Sequence, residues 1–463
     1  MSDEKSKNIE MITGDPKKAI IKLAIPMMVS MLLIMLYNLA DSIWVAGLGA
    51  DALAAIGFIT PLFMVLVGLG NGIGAGANSL IARNIGANNY AEANNAGLHA
   101  IVLSIIVSVI FTILMETLMV PILQFMGAGH TIGYAMEYSY IIFGFLFIFV
   151  YSGVASAIFR SEGDMRRATI AIAVTAIMNI ILDPIFIYVL DFGIAGAAWA
   201  TVISASLSCI VMSYWIWFKR DLFLDFSPKN FSYSTQMMLD TLQVAIPSTL
   251  ENVIFSALGI MINSMLVIAG GTDAVAVYTA SMRIVQLTTI PLLGIGTALL
   301  TVAGVAYGAH NHVNLKTAHI YSIKVGFAIS ILLGAIMYVF SAPIANMFSY
   351  TQASAGMAPE ISAAISILSL FVLAIPHGIM SSMMFQGVGK GVYSLIITLL
   401  RSLILETVFA YIFCFIFGWG VIGIYSGVVL GCFVGGTIGF FWAHYFTYKF
   451  KKISIKKYGS HND

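Results

Sequence analysis

AIIKLAIPMMVSMLLIMLYNLADSIWVA, residues 19–46, decides the class of this molecule. A helix needs ~20 apolar residues to cross the hydrocarbon of a bilayer. This run is long enough, and it carries an aspartate, Asp41, near its far end. Working outward, the apolar runs between polar or Gly/Pro punctuation predict eleven more spans. They lie at 52–80, 97–121, 133–157, 167–190, 193–218, 238–269, 275–306, 318–343, 359–385, 391–417 and 420–448. Glu251 interrupts the run 238–269.

Composition agrees. Sixty per cent of the residues are AVILMFWYC, and 9% are Asp, Glu, Lys or Arg. A soluble domain carries about 25% charged residues. So little charge cannot clothe 463 residues in water, and lipid must solvate most of the perimeter. A net charge of +1 gives no basis for a nucleic-acid partner. Cys209, Cys414 and Cys432 fall in apolar runs with no CxxC spacing, so they read as small core residues. The polar stretch 1–18 lacks a cleavable signal pattern, so the first apolar run is expected to remain in the mature protein.

Loop charge sets the orientation. Lysine and arginine fall only in alternate connections. Lys5, Lys7, Lys17 and Lys18 precede span 1, and Arg83 opens the connection after span 2. Arg160, Arg166 and Arg167 follow span 4, and Lys219, Arg220 and Lys229 follow span 6. Lys316, Lys390 and the tail Lys449, Lys451, Lys452, Lys456 and Lys457 complete the series. The other connections offer Asp51, Glu137, Asp191 and Asp273 instead. Both termini are therefore expected in the cytoplasm, with the chain multi-pass in the cell inner membrane. Trp44 and Trp419 then mark outer ends, and Trp215, Trp217 and Trp442 inner ends.

The chain repeats itself. Asp51-Ala-Leu-Ala-Ala55 matches Asp273-Ala-Val-Ala-Val277, Gly72-Ile73-Gly74 matches Gly294-Ile295-Gly296, and Gly86-Ala87-Asn88-Asn89 matches Gly308-Ala309-His310-Asn311, all at offset 222. Phe159 and Gly163 match Phe385 and Gly389 at 226, and Phe192 to Gly196 matches Trp419 to Gly423 at 227. Ordered matches with slow drift indicate duplication. Each half has an even number of spans, so the repeats are parallel, an arrangement that places substrate at the repeat interface. The expected organisation is a cytoplasmic tail 1–18, an N-lobe 19–218, a linker 219–237 around Ser227-Pro228-Lys229, a C-lobe 238–448 and a basic tail 449–463. The fold class is an all-α membrane protein of twelve transmembrane helices in two six-helix bundles.

A carboxylate at mid-membrane costs ~2.5–3.5 kcal/mol on insertion scales, so acids inside spans are functional candidates. Asp41 lies in the outer half of span 1, with Tyr37 one turn earlier on the same face. Asp183 lies in the outer half of span 5, with Asn179 one turn before it. The duplicate positions hold Ile262 or Asn263, and Phe409, so the scaffold itself does not require acids there. The bland alternative makes both acids interface-level caps. Glu251, Arg283, Arg401 and Glu406 read as structural ion pairing within the second half, with Glu251 also a candidate second proton or cation site. His377 reads as a hydrogen-bonded core histidine or a proton relay. The alternating glycines Gly68 to Gly76 suit close helix approach in lipid rather than phosphate binding. His310-x-His312 lacks a third metal ligand. No nucleophile elbow, Walker motif or zinc helix occurs, so an enzyme is not expected and ion-driven transport is.

Leu36 to Ser42 with Gly47 to Gly57, Asn179 to Phe186 running into Gly193 to Thr201, Arg283 with Pro291 to Gly296, Phe385 to Lys390, and Arg401 resemble the multidrug and toxic compound extrusion (MATE) family. The resemblance spans roughly 15–450. It implies an inner-membrane antiporter that exports hydrophobic organic cations and drugs in exchange for H⁺ or Na⁺, and a V-shaped pair of bundles. It also implies a first-half site at Asp41, Asn179, Asp183 and Thr201, with Na⁺ possible at those four. One branch uses acids in helices 7 and 10. Glu251 resembles the first of these, whereas the helix-10 region Ala374 to Met384 holds only His377. The expected partners are drugs and membrane lipid, with no cofactor beyond the coupling ion and a monomeric state. Neutralisation of Asp41 and Asp183 by a proton or Na⁺, competing with a cationic cargo, would couple the two fluxes. Two rivals stand beside this. A lipid-linked oligosaccharide flippase would need several Arg or Lys in its cavity, where Arg283 and Arg401 are available. A membrane-embedded enzyme would need convergent catalytic groups beyond the carboxylates.

Overall fold

The computed structural model describes residues 2–219, 222–348 and 355–458. Arg220 and residues 459–463 of the expected tail lie outside them, as do the side chains of Lys5, Lys456 and Lys457. Lipid offers backbone groups no hydrogen bonds, so each segment must satisfy its own, and these apolar runs do so as helices. In chain order they are α1 Ser2–Thr13, α2 Pro16–Ala46, α3 Ala50–Gly86, α4 Tyr90–Phe125, α5 Ile132–Gly144, α6 Leu146–Ser161, α7 Met165–Pro184 and α8 Gly193–Ser213. There follow α9 Thr235–Gly308, α10 His312–Val339, α11 Ser341–Phe348, α12 Ala358–Ala374, α13 Pro376–Gly387, α14 Gly391–Thr398, α15 Glu406–Tyr411 and α16 Gly420–Tyr458. Four π-helical segments, Ile185–Val189, Tyr214–Lys219, Leu399–Leu405 and Ile412–Ile416, continue or interrupt these helices.

Ten described helices are long and apolar enough to cross a bilayer. One of them, α9, leaves helical geometry at Gly271 (φ 71°), between the two expected spans, and so makes two crossings. α5 and α6, bent by 47° at Phe145, together make one more. The twelve expected spans are thereby accounted for. The ends differ from expectation. Residues 2–13 form α1, with Ile9 and Ile12 buried, and α16 runs ten residues past 448, to Tyr458.

The chain divides into two compact units, residues 1–15 with 25–249 and residues 16–24 with 250–463. In the first, the alternating glycines of α3 serve two faces. A Cβ at Gly153 of α6 would stand 2.7 Å from the Gly70 carbonyl, and one at Gly74 would stand 2.9 Å from the Gly153 carbonyl. On the other face a Cβ at Gly72 would crowd the Ala245 carbonyl at 2.6 Å. Backbones touch here because no side chain stands between them. In the second unit Ile262, Leu266, Val277, Ile365, Leu368 and Tyr425 belong to one apolar core.

The duplication reappears in the backbone. Asn88 (φ 59°) and His310 (φ 53°) both turn left-handed after a helix, and Asn89 and Asn311 close the caps with N–H bonds to Asn84 and Ala306. Gly163 and Gly389 share φ 79°, followed by Asp164 to Phe159 and Lys390 to Phe385 bonds of 2.9 and 2.8 Å. Phe192 bonds to Phe186 as Trp419 bonds to Phe413. The π segments Ile185–Val189 and Ile412–Ile416 correspond at offset 227. The drift from 226 to 227 falls between Gly389 and Ile412, where the second half alone has the π segment Leu399–Leu405. A π turn holds one extra residue. The correct duplicate of Asp183 is therefore Ala410, not Phe409, and the duplicate of Asn179 is Glu406.

The stretch expected to link the halves is tied to the first unit. Phe223 and Leu224 donate their N–H groups to the Glu162 carboxylate at 3.1 and 3.0 Å. Asn95 Nδ2 donates to the Ser232 carbonyl at 2.7 Å and Asn95 Oδ1 accepts from the Ser232 N–H at 3.1 Å. The Ser234 N–H donates to His99 Nε2 at 2.8 Å, so His99 Nδ1 carries the proton given to the Asn95 carbonyl. Glu162 follows the end of α6, and burial pushes its carboxyl up to about 8, against the pull of its two amide donors. A carboxyl harder to ionise folded than unfolded leaves the folded form less favoured as pH rises from the ordinary carboxyl range to about 8. Amide exchange at Phe223 and Leu224, corrected for intrinsic rate, should therefore speed up several-fold across that interval. Glu162→Gln, which loses one of the two acceptors, should exchange faster throughout and show no such pH step. Hydrogen-exchange mass spectrometry of peptides covering 222–234 measures both.

Candidate functional site

Four helices of the first unit converge on one polar cluster. α2 presents Tyr37 and Asp41, and α7 presents Asn179 and Asp183, each pair one turn apart on one face. Pro184 has no N–H to give, and the helix widens into the π segment directly after it. The chain reverses through Asp191 (φ 56°) and Gly193 (φ 54°) into α8. Gly196 then lets α8 lie against that π segment, since a Cβ there would stand 2.5 Å from the Phe186 carbonyl oxygen. This close approach brings Thr201 to Asn179. Asn179 Nδ2 donates to Asp183 Oδ1 at 3.2 Å and to Thr201 Oγ1 at 3.3 Å, and the Thr201 hydroxyl donates to the Ala197 carbonyl at 3.0 Å.

Asp41 joins them electrostatically. Its charge acts on Asp183, and the charges of both act on Tyr138 of α5, which is buried. Asn179 is 1% exposed and Asp183 0%. The bonding leaves Asp41 Oδ1, Asn179 Oδ1 and Asp183 Oδ2 buried without a partner. Carboxylate and amide oxygens only accept. Each buried unsatisfied group costs about 1–3 kcal/mol. Three acceptors facing no donor make a place for a proton, a hard cation with oxygen ligands, or an organic cation. Of the five residues singled out in sequence, hydrogen bonds join Asn179, Asp183 and Thr201, while Asp41, with Tyr37 one turn before it on α2, stands within electrostatic range of Asp183.

Tyr138 was missed because it carries no charge at neutral pH and sits among other tyrosines of the same span. Glu116 of α4 was missed although the signal was present, as the lone acid in 97–121. Its Oε1 is buried without a partner, 3.5 Å from where a Cβ on Gly144 would stand, beside the α5–α6 bend.

The second unit has its own polar chain. Ser394 Oγ donates to Glu251 Oε1 at 2.6 Å, and Gln386 Nε2 lies 3.3 Å from both Glu251 oxygens. His377 places Nε2 3.1 Å from the Phe433 carbonyl and 3.2 Å from Thr437 Oγ1, while Nδ1 is buried and unpartnered. Arg283 is exposed. The expected ion pairing takes another form. Among the described residues no direct ion pair joins Glu251, Arg283, Arg401 or Glu406. Instead Arg401 Nη1 donates to Cys432 Sγ at 3.8 Å, and the Cys432 thiol donates to the Ala374 carbonyl at 3.7 Å. Among the described residues no group of three His, Cys, Asp or Glu side chains is placed to hold a metal.

The model of the MatE family matches residues 26–185 and 247–412, one block in each half. The chain belongs to the MATE family. A solved structure described as an outward-facing conformation of a multidrug resistance MATE family transporter of the MOP superfamily is 40% identical. It superposes with a TM-score of 0.93 over 96% of this chain and 99% of that one. The multidrug export protein MepA of Staphylococcus saprophyticus is 26% identical over 83% of this chain and 84% of its own length. An FAD transporter of Shewanella oneidensis is 24% identical over 83% and 85% respectively.

Proposed function

We propose that this MATE transporter is a cation-coupled antiporter that exports hydrophobic organic cations and drugs across the cytoplasmic membrane, with both termini on the cytoplasmic side. The observation that carries the reading is the set of three buried acceptor oxygens, Asp41 Oδ1, Asn179 Oδ1 and Asp183 Oδ2, that no donor reaches. Two coupled carboxylates in a site of low polarity repel each other, and that repulsion is relieved by a proton or by Na⁺. Thr201 Oγ1 adds a fourth oxygen beside Asn179, so the donor set suits Na⁺ as well as H⁺. An organic cation satisfies the same charge. Because ion and cargo compete for one negative compartment, an inward ion gradient drives outward cargo movement once the transporter alternates its access. The multidrug export relative supports the outward direction and drugs as cargo.

Proteoliposomes loaded with ethidium and exposed to a proton gradient, a sodium gradient or neither provide the test. Efflux should require one imposed gradient and exceed the gradient-free rate by at least about tenfold, which a coupling free energy of ~1.4 kcal/mol would suffice to give. Gradient-independent efflux would remove the antiport reading. The FAD-transporting relative makes an anionic cargo the other arm of the assay. FAD movement without ethidium movement would transfer the cargo assignment to anions and to Arg283 and Arg401. The buried acids of the first unit favour the cation.

A further inference from the structure

We propose that Glu406 is a second proton-exchanging residue, held in the second unit at the repeat position the first unit gives to Asn179, with Arg401, turned to the Cys432 thiol, as its counter-charge. This goes beyond the coupling site at Asp41 and Asp183 and does not depend on it.

Three observations carry the proposal. The first is register. The one-residue insertion in the π segment Leu399–Leu405 gives Glu406 the repeat register of Asn179, with Arg401 inside the bulge itself. π bulges are frequent at functional sites because they turn a side chain out of the regular helical order. The second is enclosure. Glu406 is 2% exposed and Arg401 5%. Gly427, Gly431 and Gly435 of α16 lie directly over Ala410, Glu406 and Arg401, where any Cβ would collide with their backbone. The third is the unfinished bonding. Arg401 Nε, His377 Nδ1 and Tyr425 Oη are buried without partners.

The chemistry follows from the spacing. A buried arginine keeps its charge, so only its neighbours can change the charge of the cluster. A bidentate ion pair would hold Glu406 ionised permanently. No such pair forms among the described residues: Arg401 Nη1 is turned to Cys432 Sγ, whose thiol donates to the Ala374 carbonyl, and Gly431, the neighbour of Cys432, lies against the Glu406 backbone. The carboxyl is left free to gain and lose a proton while Arg401 remains close enough to balance its charge. The surrounding groups come from several helices. Tyr278 of α9 senses Glu406 and stacks on Tyr425 of α16, with ring centroids 5.9 Å apart. Glu360 of α12 acts on Tyr425. Arg401 also acts on Glu251 of α9 and on His377 of α13. With Glu251 and Glu406 both ionised, the Arg401 cluster carries one net negative charge, and uptake of one proton neutralises it.

Infrared difference spectroscopy of the full chain in lipid nanodiscs, between acidic and alkaline pH, reads carboxyl protonation directly and needs no transport. The background is Asp41→Asn with Asp183→Asn, so failure of the first-unit site cannot imitate failure here. Glu406→Gln should remove one carboxylic-acid band, and Cys432→Ala should move the midpoint of that band by about one pH unit, a tenfold change in proton affinity. A spectrum unaltered by Glu406→Gln would overturn the assignment. Should Glu406→Gln not fold, an unmoved set of band midpoints in Cys432→Ala would overturn it equally.

Discussion

Asp41→Asn and Asp183→Asn should each bring ethidium efflux down to the rate of protein-free liposomes while the protein still inserts at its normal level. Asparagine keeps the size and one acceptor oxygen but removes the charge. An ionised acid inside the membrane costs ~2.5–3.5 kcal/mol to insert, so its removal relieves the fold rather than strains it. The new amide also supplies a further donor to a compartment where Asp41 Oδ1, Asn179 Oδ1 and Asp183 Oδ2 stand unpartnered. The melting temperature should therefore stay level or rise as transport disappears. That opposition separates a coupling role from a structural one, since a structural acid would lose both together. Asp51→Asn is the control. Asp51 pairs with His130 at 3.1 Å on the surface, with side chains 57% and 81% exposed, and exposed pairs contribute 0.2–1 kcal/mol at most. It should change neither quantity. Efflux at the wild-type rate in either asparagine variant would place coupling elsewhere in the molecule.

Legibility differed between fold and site for physical reasons. The span count was readable because the bilayer imposes one length on every crossing, and even the break in α9 was marked by Gly270-Gly271. The repeat was readable because left-handed caps demand particular residues, as at Gly163 and Gly389. Asp41 and Asp183 were readable because charge is rare in apolar runs. Tyr138 was not, since its role depends on which helix faces α2 and α7, and local periodicity does not encode that. Glu406 was visible as a charge, but its correspondence to Asn179 was hidden. A π bulge shifts register without a sequence signature, and a one-residue error turns a side chain about 100° around a helix. The thiol that takes up Arg401 was hidden likewise, because Cys432 comes from α16.

Gly196→Ala and its duplicate Gly423→Ala should destabilise their units about equally and yet differ in cargo binding. The strain is matched by the repeat. A Cβ at 196 would stand 2.5 Å from the Phe186 carbonyl oxygen, and one at 423 would stand 2.7 Å from that of Phe413. Over-packing of this kind costs about 1–3 kcal/mol, so both variants should melt several degrees early. The consequences diverge at the next residues inward. Behind Gly196, α8 positions Thr201 against Asn179 through a bond already stretched to 3.3 Å. Pushing α8 outward breaks it and frees the Asn179 amide to turn away from Asp183. Ethidium binding, followed by fluorescence polarisation in detergent, should weaken roughly tenfold, the effect of losing one bond of ~1.4 kcal/mol to a charged group. Behind Gly423, the equivalent positions are Val428 and Glu406, which share no hydrogen bond, so binding should stay within about twofold of wild type. The duplicated scaffold thus supplies its own control, with the same backbone collision in both units and a coupling cluster in only one. Equal loss of binding in the two variants would mean that general stability, and not the α7–α8 spacing, governs the affinity.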